Sequence, residues 1–188
     1  MTGFDLGKYL DQEFREHDEV FRATQPAVRE PFGELVNVCA TALGAGRKLL
    51  FFGNGGSAAD AQHLATELTV RYRQDRDPIA AIALTAIGND LGFDQLFVRQ
   101  VQALGRAGDV AIGISTSGRS RNVILALEVA REIGLTAAGF TGGDGGGMTG
   151  LAHPLLVVPS TTTSRIQEMH ITLGQMLCGA LERQLGLV

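Results

Sequence analysis

From Lys48 onward the chain alternates short apolar runs with longer amphipathic patterns, and no other feature narrows the choice of fold as far. The runs KLLFF, IAAIAL, DVAIGIS, LTAAGFT and PLLVVPS interleave with the patterns SAADAQHLATELTVRYR, FDQLFVRQVQALG, RSRNVILALEVAREIG and SRIQEMHITLGQMLCGALERQLG. Runs that are apolar throughout, instead of alternating with polar residues, belong to strands covered on both faces. Parallel strands need crossover connections, and the helical patterns supply them. The expectation is an α/β fold: a five-stranded parallel sheet between helices, a three-layer sandwich. In such sheets ligands bind beyond the carboxyl ends of the strands. The turns GNGGS, STSGRS, TGGDGGG and PSTTTSR fall there.

Two further helical patterns, FDLGKYLDQEFREHDEVFRAT and REPFGELVNVCATALGAG, precede this succession. They predict two N-terminal helices within residues 1–46, leading into an α/β core over 47–188 of a single domain. Their apolar stripes need a partner, and another subunit would serve. The chain of 188 residues is 45% hydrophobic, long enough for one sizeable core. Its 16 basic and 20 acidic residues leave a formal charge of −4, so neither nucleic acid nor an anionic membrane is an expected partner. Cys39 and Cys178 sit in apolar stretches without CxxC spacing, as buried thiols of a reducing compartment do. No apolar run approaches the roughly 20 residues that span a bilayer, and the first residues are too charged for a secretory signal. A soluble, cytoplasmic protein is expected.

The turns carry the candidate chemistry. In FFGNGGSAADAQH a glycine-rich turn joins a strand to a helix, where free backbone N–H groups favour an anion or a polar ligand oxygen. The bland alternative is a tight turn in which Ser57 caps the helix, with Asp60 three residues on. In ISTSGRS, Ser115, Thr116, Ser117 and Ser120 crowd four hydroxyls ahead of a helix. That suits a phosphate monoester, although one of them would suffice as a cap. His63 and Glu67 lie four apart and share a helix face, either as an exposed pair or as metal ligands and general base. Asn89 and Asp90 of GND follow the second strand, as ligands or as a turn and cap. Gln167 faces a site or closes a capping box with Ser164.

Together GNGGSAADAQHLATEL, GND, GISTSGRS, TGGDGG and RIQEMH resemble the sugar isomerase (SIS) domain family, and within it the phosphoheptose isomerases, over nearly the whole chain. The resemblance implies a flavodoxin-like sheet and isomerisation of sedoheptulose 7-phosphate to D-glycero-manno-heptose 7-phosphate through an enediol, in nucleotide-activated heptose synthesis. It implies that Ser115, Thr116, Ser117 and Ser120 hold the phosphate, while Asn54, Gly55, Gly56, Asn89, Asp90 and Gln167 meet the sugar. It further implies a divalent metal, zinc, at His63, Glu67 and Gln167, with Glu67 also moving a proton, and a homotetramer with active sites between subunits. Some family members only bind phosphosugars, as regulators or protein partners, and that is the alternative.

Two departures bear on the mechanism. The family pattern places a histidine, both metal ligand and acid/base group, eight residues after the RIQE glutamine. This chain has Gln175 there. An amide oxygen ligates a metal weakly, and an amide does not exchange a proton near neutral pH. On a helix Gln175 lies about 80° from Gln167 and His170 about 60° away on the other side, which makes His170 the candidate replacement by angle. The second departure is IAAIALTAIGND, where the stretch before GND is shorter than the resemblance implies.

Overall fold

A computed structural model describes residues 4–85 and 91–188. The five apolar runs form β1 (Leu49–Gly53), β2 (Ala81–Ala83), β3 (Val110–Ser115), β4 (Thr136–Gly142) and β5 (Leu155–Val158). All pairings are parallel, in the order β2-β1-β3-β4-β5. Every residue of β1 and β3 is buried, as unbroken apolar runs require. The crossovers are α2 (Gly56–Thr69), α3 (Leu96–Leu104) and α4 (Arg121–Glu132), and the chain closes with α5 (Thr163–Gln184). Alternate strand residues feed the two faces. Leu49, Phe51, Ile112, Ile114 and Phe140 pack under helices α2 and α5 and the leading helix. Leu50, Phe52, Ala111 and Ala137 pack under α3 and α4. This is the expected three-layer sandwich.

The leading segment differs from expectation. Its two patterns form one helix of 39 residues, α1 (Leu6–Gly44), with Pro26 and Pro31 inside it. Each proline removes a backbone donor and would interrupt an isolated helix. Here Val28, Leu35, Val36 and Cys39 are buried in the core shared with α5 and β5, and tertiary packing carries the helix through both positions. Asp5 caps it, its carboxylate accepting from the Lys8 N–H at 3.0 Å. Toward its start the helix exposes Leu6, Tyr9, Leu10 and Phe14, with Phe4 just before them.

The strand order positions the site. The chain steps from β1 outward to β2 and returns to β3 on the other side of β1, so the connections leaving β1 and β3 diverge. That divergence opens a crevice at the carboxyl ends of two neighbouring strands. The turns Asn54–Gly56 and Thr116–Ser120 flank it.

Candidate active site

The two turns are tied together by amides. Asn54 Nδ2 donates to Asn122 Oδ1 and Asn122 Nδ2 donates to Asn54 Oδ1, each at 2.9 Å. Asn122 is buried in the first turn of α4. Sequence reasoning missed it, yet a signal was present: asparagine is a poor helix former that bonds locally, and one so placed in RNVILA calls for a partner.

The hydroxyl turn is organised around itself. Ser115 Oγ and Ser120 Oγ are 3.0 Å apart, and the Arg119 N–H donates to Ser117 Oγ at 3.2 Å. Ser120 is the N-cap residue of α4, but its side chain makes no capping bond, so more than capping is on offer. Gly118, at φ 64°, takes the left-handed conformation, and a Cβ there would lie 2.0 Å from the Gly145 carbonyl oxygen. The turn is thereby pressed against the loop after β4. Thr116 and Ser117 line a cavity of about 820 Å³ shared with Gly143 and Ser160.

The glycine turn opens α2, whose N-cap is Gly55. Ser57 lies inside the first turn, so the alternative Ser57–Asp60 capping arrangement does not form. Asp60 instead leaves Oδ2 buried without a partner. Burial holds its carboxyl above the usual carboxylate range, and nearby His63 pulls it back. Gln167 stands over the same turn. A Cβ on Gly56 would meet its Nε2 at 2.5 Å, so only glycine admits this approach. The N-cap of α5 is Thr162, which leaves Ser164 inside the helix and removes the capping-box reading of Gln167.

About two turns further along α2, three of the expected residues converge. His63 Nε2 is 3.3 Å from Glu67 Oε1 and 3.3 Å from Gln175 Nε2. A neutral ring nitrogen has one proton or one lone pair, so it cannot satisfy both neighbours at once. Imidazole nitrogen, carboxylate and an amide that can present its oxygen form a donor set suited to a divalent ion such as zinc. Among the described residues no three His, Cys, Asp or Glu side chains group as a metal site, so the set depends on a glutamine.

A buried ion pair holds this group in place. Arg76 Nε donates to Glu182 Oε1 at 2.9 Å, with both side chains almost fully buried. The Arg76 guanidinium also donates to the carbonyls of Glu67 and Leu68, each at 2.8 Å. It therefore fastens the end of α2 to α5, the two helices that carry His63, Glu67 and Gln175.

His170 must be taken out of the catalytic set. It is fully buried and packs 5.9 Å from the Phe140 ring, with Nε2 donating to the Thr141 carbonyl at 3.1 Å. Burial pushes its pKa down to about 4. The reason is angular: His170 shares the inward face of α5 with Ile166, Met169 and Leu173, toward the sheet. Asn89 and Asp90 lie outside the described residues. Cys39 and Cys178 are free and buried, as expected, and burial raises the Cys178 thiol to about 12.

A parallel sheet with a hydroxyl-rich turn at its switch point is an architecture able to seat an anionic ligand. Residues 14–142 match the SIS domain family, and the chain belongs to it. Within that family it stands with the phosphoheptose isomerases. The phosphoheptose isomerase of Paramagnetospirillum magneticum is 59% identical over 93% of this chain and 94% of its own length. The solved phosphoheptose isomerase of Neisseria gonorrhoeae superposes with a TM-score of 0.87 at 40% identity, covering 95% of this chain and 100% of the other. That of Francisella tularensis gives 0.91 at 30% identity, covering 96% and 100%.

Proposed function

We infer that this protein is a phosphoheptose isomerase, converting sedoheptulose 7-phosphate to D-glycero-manno-heptose 7-phosphate. The observation that carries the reading is the pairing of a hydroxyl cradle at the sheet's switch point with a carboxylate and imidazole on the adjoining helix. Moving a carbonyl between C1 and C2 requires removal of a carbon-bound proton, an enediol and return of the proton to the neighbouring carbon. Glu67 is the base. Ser115, Thr116, Ser117 and Ser120 bind the phosphate, and that remote binding orients the reacting carbons. Asn54, Gly55, Gly56 and Gln167 meet the sugar chain.

Zinc is the proposed cofactor, held by His63, Glu67, Gln167 and Gln175. When bound it would polarise the substrate carbonyl. Support comes from the two polar neighbours crowding His63 Nε2. We also propose a homotetramer, on the strength of the exposed apolar residues of α1, whose Phe14 is 67% exposed. Among the described residues no helix is long and apolar enough to cross a membrane, and the cytoplasm is the proposed location. The test is exchange of a C1 hydrogen of sedoheptulose 7-phosphate with solvent deuterium, followed by NMR with zinc added. Exchange and formation of the aldose phosphate are expected, and the absence of both would sink the reading.

A further inference from the structure

Arg119 lies within the hydroxyl turn but is absent from the roles given above. Its guanidinium reaches back, with Nη1 donating to the Ser117 carbonyl at 3.0 Å and Nη2 donating to Asp144 Oδ2 at 2.6 Å. Its own N–H is fixed on Ser117 Oγ. Among the described residues lining the 820 Å³ cavity, Arg119 is the only cation, and the acidic lining residues are Glu16, Glu19 and Asp144. A phosphate monoester carries close to two negative charges near neutral pH. Held at Thr116 and Ser117, the two residues of the turn that line this cavity, it would share the space with three carboxylates and one positive group to offset them.

The two partners of the ion pair are anchored differently. Asp144 Oδ1 accepts the Gly146 N–H at 3.0 Å, which holds the carboxylate to its own loop. The Arg119 side chain is 61% exposed, and its long flexible stem could redirect the guanidinium by exchanging its bonds to Ser117 and Asp144 for others. A guanidinium presents donors on more than one edge, and phosphate oxygens match that fork.

We propose that Arg119 is a phosphate-binding residue of this isomerase, its guanidinium shared between Asp144 and the substrate phosphate, with Asp144 setting the affinity by competing for it. This rests on the reading of Ser115 to Ser120 as the phosphate cradle. It adds a charge-selective element to a cradle of neutral hydroxyls, and so favours the doubly charged phosphate over uncharged sugars of the same shape. A purely mechanical role is the rival, since the pair also bridges the turn after β3 and the loop after β4.

The two roles predict opposite signs for one variant. Asp144→Asn keeps an oxygen for the Gly146 N–H but removes the charge that competes for Arg119. The measurements are the KM for sedoheptulose 7-phosphate, kcat, and competitive inhibition by inorganic phosphate, in Arg119→Gln, Arg119→Lys, Asp144→Asn and Ser120→Ala. The expected result is that Arg119→Gln raises KM and the phosphate Ki about tenfold with kcat little changed, the loss of one charge-assisted contact. Arg119→Lys recovers part of this, and Asp144→Asn lowers both constants. If Arg119→Gln and Asp144→Asn raise KM alike, the pair is a clasp and the proposal is overturned. If Ser120→Ala raises the phosphate Ki while Arg119→Gln does not, the cradle stands and the role of Arg119 falls. If neither variant moves the phosphate Ki, the cradle reading falls and takes the proposal with it.

Discussion

Asn54 and Asn122 hold each other through two reciprocal amide hydrogen bonds, each 2.9 Å long, and so lock the glycine turn to the start of α4. Asn122→Ala would leave the Asn54 amide without its partner at the mouth of the crevice. An unmet polar group in such a position costs about 1–3 kcal/mol. The expected outcome is a lower melting temperature together with a kcat/KM reduced about tenfold, because the turn proposed to meet the sugar loses its register. Unchanged kinetics beside a lowered melting temperature would limit the pair to stability.

The Arg76–Glu182 pair is buried and bridges α2 and α5. Removing one member strands the other charge in the core, at a cost of about 3–5 kcal/mol. Glu182→Gln and Arg76→Met should each lower the urea midpoint strongly, while the double replacement Arg76→Met with Glu182→Gln should lose clearly less than the two together, because it strands no charge. A double variant as unstable as the sum of the singles would contradict this account.

Gln175 occupies a position where proton transfer is closed to an amide. Gln175→His places an ionisable ring beside His63, within the same polar group. Turnover should rise, and the pH–rate profile should gain a limb near the histidine range. A rate left unchanged or reduced would mean that the site is built around glutamine.

His170 makes folding sensitive to acid. Its folded-state pKa of about 4 lies below the ordinary 6.5, so the unfolded chain binds the extra proton between those values. Stability is lost as pH falls from about 6.5 toward 4, by on the order of 3 kcal/mol from this group. His170→Gln keeps an N–H donor for the Thr141 carbonyl and removes the titration. The urea midpoint of the variant should fall less between pH 7 and pH 5 than that of the wild type, and parallel curves would refute the assignment.

The sheet and the two turns at its carboxyl end are legible because periodicity reports burial directly, and LLFFG and VAIGIS are buried at every strand position. Gln167 and His170 are separable by angle on α5 from the sequence alone. What angle could not show is which side of the helix meets the sheet, and that placed His170 in the core. The continuity of α1 is hidden at Pro26, a local stop signal between the two patterns, whereas the packing that overrides it comes from α5 and β5, far along the chain. Asn122 and Arg119 are not legible locally for a related reason. Each acts through a partner from another connection, Asn54 and Asp144, and no local pattern names such a partner.

The central claim is that Glu67, set beside His63 on α2, moves the proton that converts ketose to aldose. Formation of D-glycero-manno-heptose 7-phosphate from sedoheptulose 7-phosphate should be followed for the wild type and Glu67→Gln side by side, with zinc supplied to both. General-base catalysis of this kind contributes about 10²–10⁴-fold, so the variant should be slower by at least a hundredfold. Product formed by Glu67→Gln at the wild-type rate, or none formed by the wild type, would contradict the account.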